Sequence, residues 1–276
     1  MEIAFSRLDE RVAKFTLSGV STSFANMLRR AMTSEVPTLA IEDVRIYDNT
    51  SVLFDEMLAH RLGLIPLRTK PEVYKSRSEC SCEGAGCDAC TATYTLSVEG
   101  PKMVYSSDLI PQDPDTAPAE EDIPIIELAN DQKLVLGAYA VVGTGKEHAK
   151  WQATTACGYK NYPVITIDAR CDGCGMCIDE CPRDILEVVQ GKVRVIEGRR
   201  ELCSLCRLCE RACLAGGIGT EAAIRINTDN EKFIFVVESD GSMPAREIIE
   251  RALQYIQKSS DDLIDVMNEI TGEGTE

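Results

Sequence analysis

The chain has 276 residues, 44% of them hydrophobic and 27% charged, which is enough to bury a sizeable core in one large or several small domains. Its formal net charge of -16 argues against a free-standing nucleic-acid binder, because such a protein needs a basic face to neutralise phosphates. The longest apolar stretch, residues 134–143, is too short to span a bilayer. No signal segment follows Met1, so the thirteen cysteines indicate metal ligands in a reducing cytoplasm rather than disulfides.

The first part of the chain alternates strand and helix signals. Residues 21–37 predict a helix because apolar residues recur there at helical spacing, and Gly63 is expected to end a second helix. The predicted elements are two short strands within 1–19, a helix over 21–37, a strand over 38–49 and a helix over 51–67.

The second part is organised around a cysteine-rich stretch at 166–220. Residues 111–124 are rich in proline and acidic residues and predict a mobile surface loop. The other predicted elements are a buried strand over 133–143, strand-like segments at 162–168 and 223–229, a strand over 232–239 and a long helix over about 244–270.

The long final helix carries an apolar stripe with alternating steps of four and three residues, interrupted only by Ser260. One interpretation is that the stripe packs on the core of this chain. The other, which we favour, is that a helix of a partner covers it, because no later element of the chain is left to do so. The stripe consists of Ile249, Leu253, Ile256, Ser260, Leu263, Met267 and Ile270.

Two cysteine runs share the spacing C-x2-C-x2-C-x3-C, which is typical of bacterial-type ferredoxins. In two-cluster ferredoxins the fourth cysteine of each run ligates the other cluster. Carried over to this chain, that rule predicts two [4Fe–4S] clusters, one of which could be [3Fe–4S] after oxidation. The first cluster would be bound by Cys171, Cys174, Cys177 and Cys213, and the second by Cys203, Cys206, Cys209 and Cys181. Zinc binding or incidental cysteines are the alternatives. The two runs also differ in the residue that follows them: Pro182 follows the first run, whereas Leu214 follows the second.

A third group of cysteines has the spacing C-x-C-x4-C-x2-C in a glycine-rich loop: Cys80, Cys82, Cys87 and Cys90. Four thiolates are enough for a closed tetrahedral Zn²⁺ site. The alternative is a loop without metal, whose cysteines oxidise on isolation. We favour zinc. Cys157 has no cysteine near it in sequence and is expected to be a buried or half-buried thiol.

The sequence contains no convincing active site. Residues 140–147, AVVGTGKE, resemble a phosphate-binding loop, but Ala140 and Glu147 stand where glycine and serine or threonine are needed, so we interpret them as a strand and a turn. His60 and His148 have no partners that suggest a catalytic triad. We therefore predict no catalytic residue.

Residues 24–67, FANMLRRAMTSEVPTLAIEDVRIYDNTSVLFDEMLAHRLGLIPL, closely resemble the signature region of the alpha-like subunits of cellular RNA polymerases. The archaeal D subunit and its eukaryotic counterpart are more similar to it than bacterial alpha. The segment GKEHAKWQA at 145–153 and the pattern at the C-terminal end fit the same family. Some archaeal members carry a ferredoxin-like insertion, and the family has a zinc-type loop where Cys80–Cys90 stand.

The resemblance implies an α+β fold with a discontinuous dimerisation domain (1–40 plus 222–276), a middle mixed or β domain (41–165, with the zinc loop at 80–90) and an inserted ferredoxin-like domain (166–221). It implies that the chain pairs with subunit L, that subunits N and P join this pair, and that the two large catalytic subunits then dock on it. No base-specific nucleic-acid contact by this chain is expected. Arg29 and Arg30 would bear on that docking. The expected dimer interface comprises Phe24, Met27, Leu28, Ile249, Leu253, Ile256, Leu263 and Met267.

Two functions from different classes follow. The first is a scaffold subunit of a cytoplasmic archaeal RNA polymerase, whose clusters stabilise or regulate the inserted domain, because so small a segment cannot bury a sufficient core alone. The second is a ferredoxin-type electron-transfer subunit of a redox complex. The block at 24–67 favours the first, since an electron carrier does not need it.

Overall fold

The computed structural model describes residues 1–70, 72–215 and 221–271. Residues 216–220 of the predicted iron–sulfur domain, 272–276 of the predicted dimerisation domain and Pro71 of the predicted middle domain lie outside the described residues. In the part that is described, no helix combines the length and the apolar composition needed to cross a membrane.

Strands and helices are mixed along the chain, as an α+β fold requires, so the predicted fold class is confirmed. The strands are β1 Glu2–Leu8, β2 Val12–Ser18, β3 Pro37–Asn49, β4 Ala92–Glu99, β5 Lys102–Tyr105, β6 Ile110–Pro111, β7 Pro124–Leu128, β8 Lys133–Thr144, β9 Thr154–Ile167, β10 Leu186–Val189, β11 Lys192–Val195 and β12 Ile224–Ser239. The helices are α1 Thr22–Ser34, α2 Asp55–Gly63, α3 Met176–Asp179, α4 Leu208–Ala215 and α5 Ala245–Thr271.

The chain forms two compact units, of which the first comprises Met1–Ser6, Phe15–Ala25 and Tyr159–Phe235. It contains most of a four-stranded sheet with the order β1-β2-β12-β9 and the hairpin β10-β11. One face of the sheet is aromatic: Phe15 stacks on Phe235 with ring centroids 5.0 Å apart, and Tyr159 packs edge-on against Phe233. A separate apolar cluster of this unit is built largely from cysteine, isoleucine and alanine side chains around the two cysteine runs.

The second unit comprises Arg7–Lys14, Asn26–Gly158 and Val236–Glu276. Its sheet has the order β3-β8-β4-β6, with antiparallel pairing throughout, and β5 pairs with β7 in a separate ribbon. The large core of this unit packs α2 against the sheet through Leu58 and Leu62, which are fully buried.

Several predicted elements are confirmed, with small changes in their ends. The two strands within 1–19, the strand over 38–49, the strand over 133–143 and the final helix are all present. The second helix is shorter than the predicted 51–67: it begins at Asp55, whose carboxylate and that of Glu56 suit the positive end of a helix dipole, and it ends at Gly63 as expected.

Two predictions about the second part of the chain differ from the structure in detail. The strand segments predicted at 223–229 and 232–239 are confirmed as strand, but they form one continuous strand, β12, rather than two. Residues 111–124 are not simply a mobile surface loop. Thr116 is 1% exposed, its carbonyl oxygen accepts a 2.7 Å hydrogen bond from the Tyr94 hydroxyl, and Asp113 caps a 3₁₀ turn at Pro114–Thr116.

Candidate metal centres

The two cysteine runs lie in loops of the first unit, each leading into a short helix. In the first run Cys177 lies in α3, and Gly175 precedes that helix with φ +85°. In the second run Cys209 and Cys213 lie in α4. Cys174 and Cys206, the second cysteine of each run, are exposed. Both loops therefore present thiols from a turn and from the helix that follows it.

The backbones of the two loops share the same unusual conformation. The third and fifth positions of the first run, Gly173 and Gly175, have φ values of +72° and +85°. The matching positions of the second run, Leu205 and Arg207, have φ values of +60° and +59°. Residues other than glycine rarely adopt this left-handed conformation. The two runs thus share the left-handed conformation at both positions, although these are glycines in the first run and other residues in the second.

The thiols around Cys177 come from both runs. Burial comes first among the causes that raise the pKa of Cys177, to about 11, and the charges of nearby thiolates act in the same direction. Those charges belong to Cys213, Cys171 and Cys174. The sulfur of Cys213 also accepts a hydrogen bond from the backbone N–H of Ala223 at 3.2 Å. The fourth cysteine of the second run therefore lies beside the first three of the first run.

The thiols around Cys209 show the reciprocal arrangement. Burial, together with the charges of Cys203, Cys181 and Cys177, raises the pKa of Cys209 to about 12, although a hydrogen bond from the backbone of Glu210 opposes the shift. One small cavity is lined by all four of Cys181, Cys203, Cys206 and Cys209. The fourth cysteine of the first run therefore shares a cavity with the second run.

The donor set in these two groups fits iron–sulfur clusters. Thiolate is the soft ligand that such clusters take, and each group supplies four of them. Several of the thiols are buried, and buried thiolates repel one another unless a metal compensates their charge.

The third group of cysteines lies in the second unit, and its four sulfur atoms all lie within 4.8 Å of one another. The sulfurs of Cys80 and Cys87 are 3.5 Å apart, those of Cys82 and Cys90 are 3.6 Å apart, and those of Cys87 and Cys90 are 3.9 Å apart. Tetrahedral zinc with Zn–S bonds of about 2.3 Å requires sulfurs about 3.8 Å apart. The spacing and the donor set both fit Zn²⁺.

Two further features favour metal binding by this loop. The backbone N–H of Cys87 points to the sulfur of Cys90 at 3.4 Å, which is a contact that supports a thiolate. Hydrogen bonds from the Cys80 thiol and the backbone of Gly86 lower the pKa of Cys82, which favours its thiolate form. Gly84 and Gly86 have φ values of +84° and +83°, which the tight loop requires.

The residues of the predicted dimer interface differ in their exposure. Leu28 and Ile249 are buried within this chain, and Phe24 and Ile256 are half-buried. The exposed members are Met27, Leu253, Leu263 and Met267, with Ile270 beyond them at 80% exposure.

The two arginines of α1 also differ. The guanidinium of Arg29 donates to the Asn26 side-chain oxygen at 3.1 and 3.3 Å, whereas Arg30 is exposed. The Cys157 thiol lies 3.9 Å from the Arg29 carbonyl oxygen and is half-buried, as predicted, and burial raises the pKa of this thiol to about 11.

Sequence reasoning missed the polar contacts that hold the second run. The ammonium group of Lys160 donates to the carbonyl oxygens of Glu201 and Cys203, and the Thr16 hydroxyl donates to the Glu201 carboxylate. A lysine in an alternating strand looks like an ordinary surface residue, so no signal in the sequence could have found these contacts.

Two known protein families match parts of this chain. Residues 44–170 match the RNA polymerase Rpb3/RpoA insert domain, and residues 164–187 match a 4Fe-4S binding domain. The second match covers the first cysteine run only. This insert domain, together with the relatives described next, defines the chain as an alpha-like subunit of RNA polymerase.

Relatives of nearly the same length share this sequence. The chain is 48% identical to DNA-directed RNA polymerase subunit Rpo3 of Methanosarcina acetivorans over 98% of this chain and 99% of the relative. It is 49% identical to the subunit Rpo3 of Methanosarcina mazei with the same coverage, and 42% identical to that of Archaeoglobus fulgidus over 93% and 94%. The chain belongs to the family of the archaeal RNA polymerase subunit Rpo3. The predicted family is therefore confirmed, and the partners of this chain are other subunits of the polymerase.

Proposed function

We propose that this chain is the non-catalytic assembly scaffold of a cytoplasmic archaeal RNA polymerase. It pairs with subunit L through the dimerisation domain (1–40 plus 222–276), and this pair, with subunits N and P, carries the two large catalytic subunits. The middle domain (41–165) holds zinc, and the inserted domain (166–221) holds two iron–sulfur clusters. No residue of this chain acts in nucleotide transfer or reads DNA bases.

The observation that carries the pairing is the exposed apolar half of α5. The stripe begins inside the core at Ile249 and then runs outward, with Leu253 39%, Leu263 62% and Met267 57% exposed. Exposed side chains of this size along one stripe favour association, because covering them removes apolar surface from water. The spacing of the stripe suits a partner helix.

The test is to place charge on this stripe where the fold of the chain does not depend on the side chain. In the double variant Leu253→Asp, Leu263→Asp both changed residues are exposed, so the isolated chain should fold. Burying two carboxylates in an apolar seam should weaken pairing with L by about a hundredfold or more. Gln254→Asp is the matched control, because Gln254 is exposed and lies about 100° around the helix from Leu253. Undiminished copurification of the double variant with L would refute this assignment of the face.

Arg29 and Arg30 are proposed to act at a later step, the docking of the large subunits. Adjacent residues on a helix point in different directions, so at most one of them faces the dimer seam. Arg30→Ala should impair assembly of the complete enzyme while pairing with L stays intact. Arg29→Ala should also disturb the contact with Asn26. Normal assembly by both variants would count against this role.

The eight cysteines of the two runs are proposed to ligate two [4Fe–4S] clusters, or about eight irons per chain. When bound, the clusters supply cross-links that hold the inserted domain, and they neutralise thiolates that would otherwise repel. Cys171, Cys174, Cys177 and Cys213 form the first ligand set. Cys203, Cys206, Cys209 and Cys181 form the second. Iron and sulfide analysis of the chain purified without oxygen tests the stoichiometry, and fewer than about six irons would contradict it.

The zinc proposal concerns Cys80, Cys82, Cys87 and Cys90. Native metal analysis should give one zinc per chain in addition to the iron, and Cys82→Ser should remove it. Cys157→Ser is the control, because Cys157 lies outside the three groups and should leave zinc unchanged. Zinc retained by the Cys82→Ser variant at full occupancy would refute the site.

A further inference from the structure

Lys160 is a half-buried residue of β9 whose side chain is directed at the start of the second cysteine run. Its ammonium group donates one hydrogen bond to the carbonyl oxygen of Glu201 at 2.7 Å and another to that of Cys203 at 2.6 Å. Hydrogen bonds from a charged donor are shorter and stronger than neutral ones. One side chain therefore holds the backbone on both sides of residue 202, at the point where the first cysteine of the run begins.

A second contact ties the same segment to the sheet. The hydroxyl of Thr16, in β2, donates to the Glu201 carboxylate at 3.3 Å. Side chains alternate between the faces of a strand, so Thr16 and Lys160 lie opposite their neighbours Phe15 and Tyr159, which form the aromatic face. The start of the second run is thus contacted by side chains of both β2 and β9, on the face of the sheet opposite the aromatic side chains.

The first run begins differently. The Asp168 carboxylate accepts hydrogen bonds from the backbone and guanidinium of Arg170, and the N–H of Cys171 donates to the Asp168 carbonyl oxygen at 3.1 Å. These contacts lie within four consecutive residues, 168–171. The first loop also has glycine at both left-handed positions, whereas the second has Leu205 and Arg207 there. A loop in a strained conformation persists only when its surroundings hold it, and the contacts of Lys160 supply such a restraint.

We propose that Lys160 is a positioning residue for the second iron–sulfur site: it fixes the backbone at Cys203 and places a positive charge beside that ligand residue. This inference rests on the proposed assignment of the second cluster to Cys203, Cys206, Cys209 and Cys181. Contacts behind the ligands orient them, and charge and hydrogen bonding near a cluster set its reduction potential. Lys160 should therefore both slow the loss of the second cluster and favour its reduced, more negative state.

The test compares three variants of the chain, each loaded with iron and sulfide in the absence of oxygen. Lys160→Met removes the charge and the donors with little change in size, and Lys160→Arg keeps both. Lys232→Met is the matched control, because Lys232 is another half-buried lysine of the same sheet, with its ammonium 4.0 Å from the centre of the Tyr162 ring. Iron release to a chelator gives the rate of cluster loss. Alkylation of freed thiols, located by mass spectrometry, distinguishes Cys203, Cys206 and Cys209 from the cysteines of the first run.

Removing a contact behind a metal ligand typically weakens binding by about 10- to 100-fold, so Lys160→Met should release the second cluster about 10- to 100-fold faster. The first cluster should be released at the wild-type rate. A redox titration followed by electron paramagnetic resonance should show one of the two potentials lowered. In Lys160→Arg this reduction potential should return most of the way to the wild-type value. A purely structural role would not require the potential to follow the charge at this position. Lys232→Met should behave as wild type.

Two results would overturn the role of Lys160 while leaving the clusters in place. One is an iron-loaded Lys160→Met variant with wild-type release rates and potentials. The other is equal acceleration of both clusters, which would indicate general destabilisation. A wild-type chain that takes up no iron would refute the cluster assignment itself, and the role of Lys160 with it. Iron uptake by the wild-type chain therefore separates the two failures.

Discussion

The two cysteine runs of this chain have the same spacing and the same loop shape but differ in the residues that form the loop. The first uses Gly173 and Gly175 at its two left-handed positions, and the second uses Leu205 and Arg207. A left-handed conformation costs a residue other than glycine about 1–2 kcal/mol. The comparison teaches that the ligand spacing determines the backbone path, whereas the residues between the ligands determine how stable that path is.

The two runs also differ in where their restraints come from. The start of the first loop is held by its own neighbours, Asp168 and Arg170. The start of the second is held by Lys160, more than forty positions away in the chain at the nearer of its two contacts. The match to a 4Fe-4S binding domain ends at residue 187, so it includes only the loop with glycines. Similarity in sequence and similarity in structure therefore diverge between these two loops.

The largest effects are expected from removing one ligand of each set. Cys174→Ser and Cys206→Ser change exposed thiols at matching positions, so neither disturbs the apolar cluster around the runs directly. Each variant should lose about four of the eight irons and become locally unfolded in its own loop, because unliganded thiolates repel and the insert has little other core. Pairing with L should survive, since the apolar stripe of α5 lies outside the insert.

Iron analysis and hydrogen exchange over 171–181 and 203–215 measure these effects, with Cys157→Ser as the control. In stepwise reconstitution, docking of the large subunits should weaken in both variants. Loss of all eight irons from a single substitution would show that the two sites form one cooperative unit. Intact docking and transcription with loss of a redox reaction would instead support an electron-transfer role for the insert.

A smaller effect is expected from filling the glycine positions of the first loop. A Cβ atom on Gly173 would lie 2.5 Å from the carbonyl oxygen of Gly191, which is fixed backbone, whereas a Cβ on Gly175 would meet nothing within 4 Å. Gly173→Ala should therefore destabilise the loop by about 3 kcal/mol, from strain and overlap together. Gly175→Ala should cost only the strain, about 1 kcal/mol. Urea unfolding of the loaded chain without oxygen, followed by cluster absorbance, measures both, and equal costs would contradict the crowding of Gly173 by the Gly191 backbone.

The smallest effect, and one of opposite sign, is expected in the second loop. Arg207 is exposed, and its ion pair with Glu210 is long, at 3.9 Å, so little is lost with its side chain. Arg207→Gly relieves the left-handed strain, and Arg207→Ala is the control that removes the same side chain but keeps the strain. The glycine variant should be the more stable of the two by about 1 kcal/mol. The same unfolding measurement applies, and equal stability would show that φ at this position relaxes freely.

Much of the organisation could be predicted from the sequence. Periodicity located α1 and α5, and the long apolar run at 133–143 located the central strand β8 of its sheet, because local patterns report which face of an element is buried. The three cysteine groups were found from spacing alone, because ligands of one metal site that lie in one loop must be a few residues apart. The family followed from the block at 24–67.

The tertiary structure decided the features that depend on contacts between residues far apart in the sequence. The sequence predicted two strand segments, 223–229 and 232–239, and within the sheet they form the single strand β12. The burial of Thr116 depends on Tyr94, more than twenty positions away. The α5 stripe is buried at Ile249 and exposed at Leu263, and this division depends on how far along the helix the rest of the chain packs.

The sequence by itself determined the kinds of atoms available to each site: twelve thiols in three groups, and an apolar stripe on one long helix. The ferredoxin rule already predicted how the thiols are grouped, but only the tertiary structure decided how they are held. It brings Cys213 to the first run and Cys181 to the second, and it brings Lys160 to the carbonyl oxygen of Cys203. The physical reason is that spacing constrains neighbours within a loop, whereas hydrogen bonds and burial between distant segments depend on packing that no local pattern encodes.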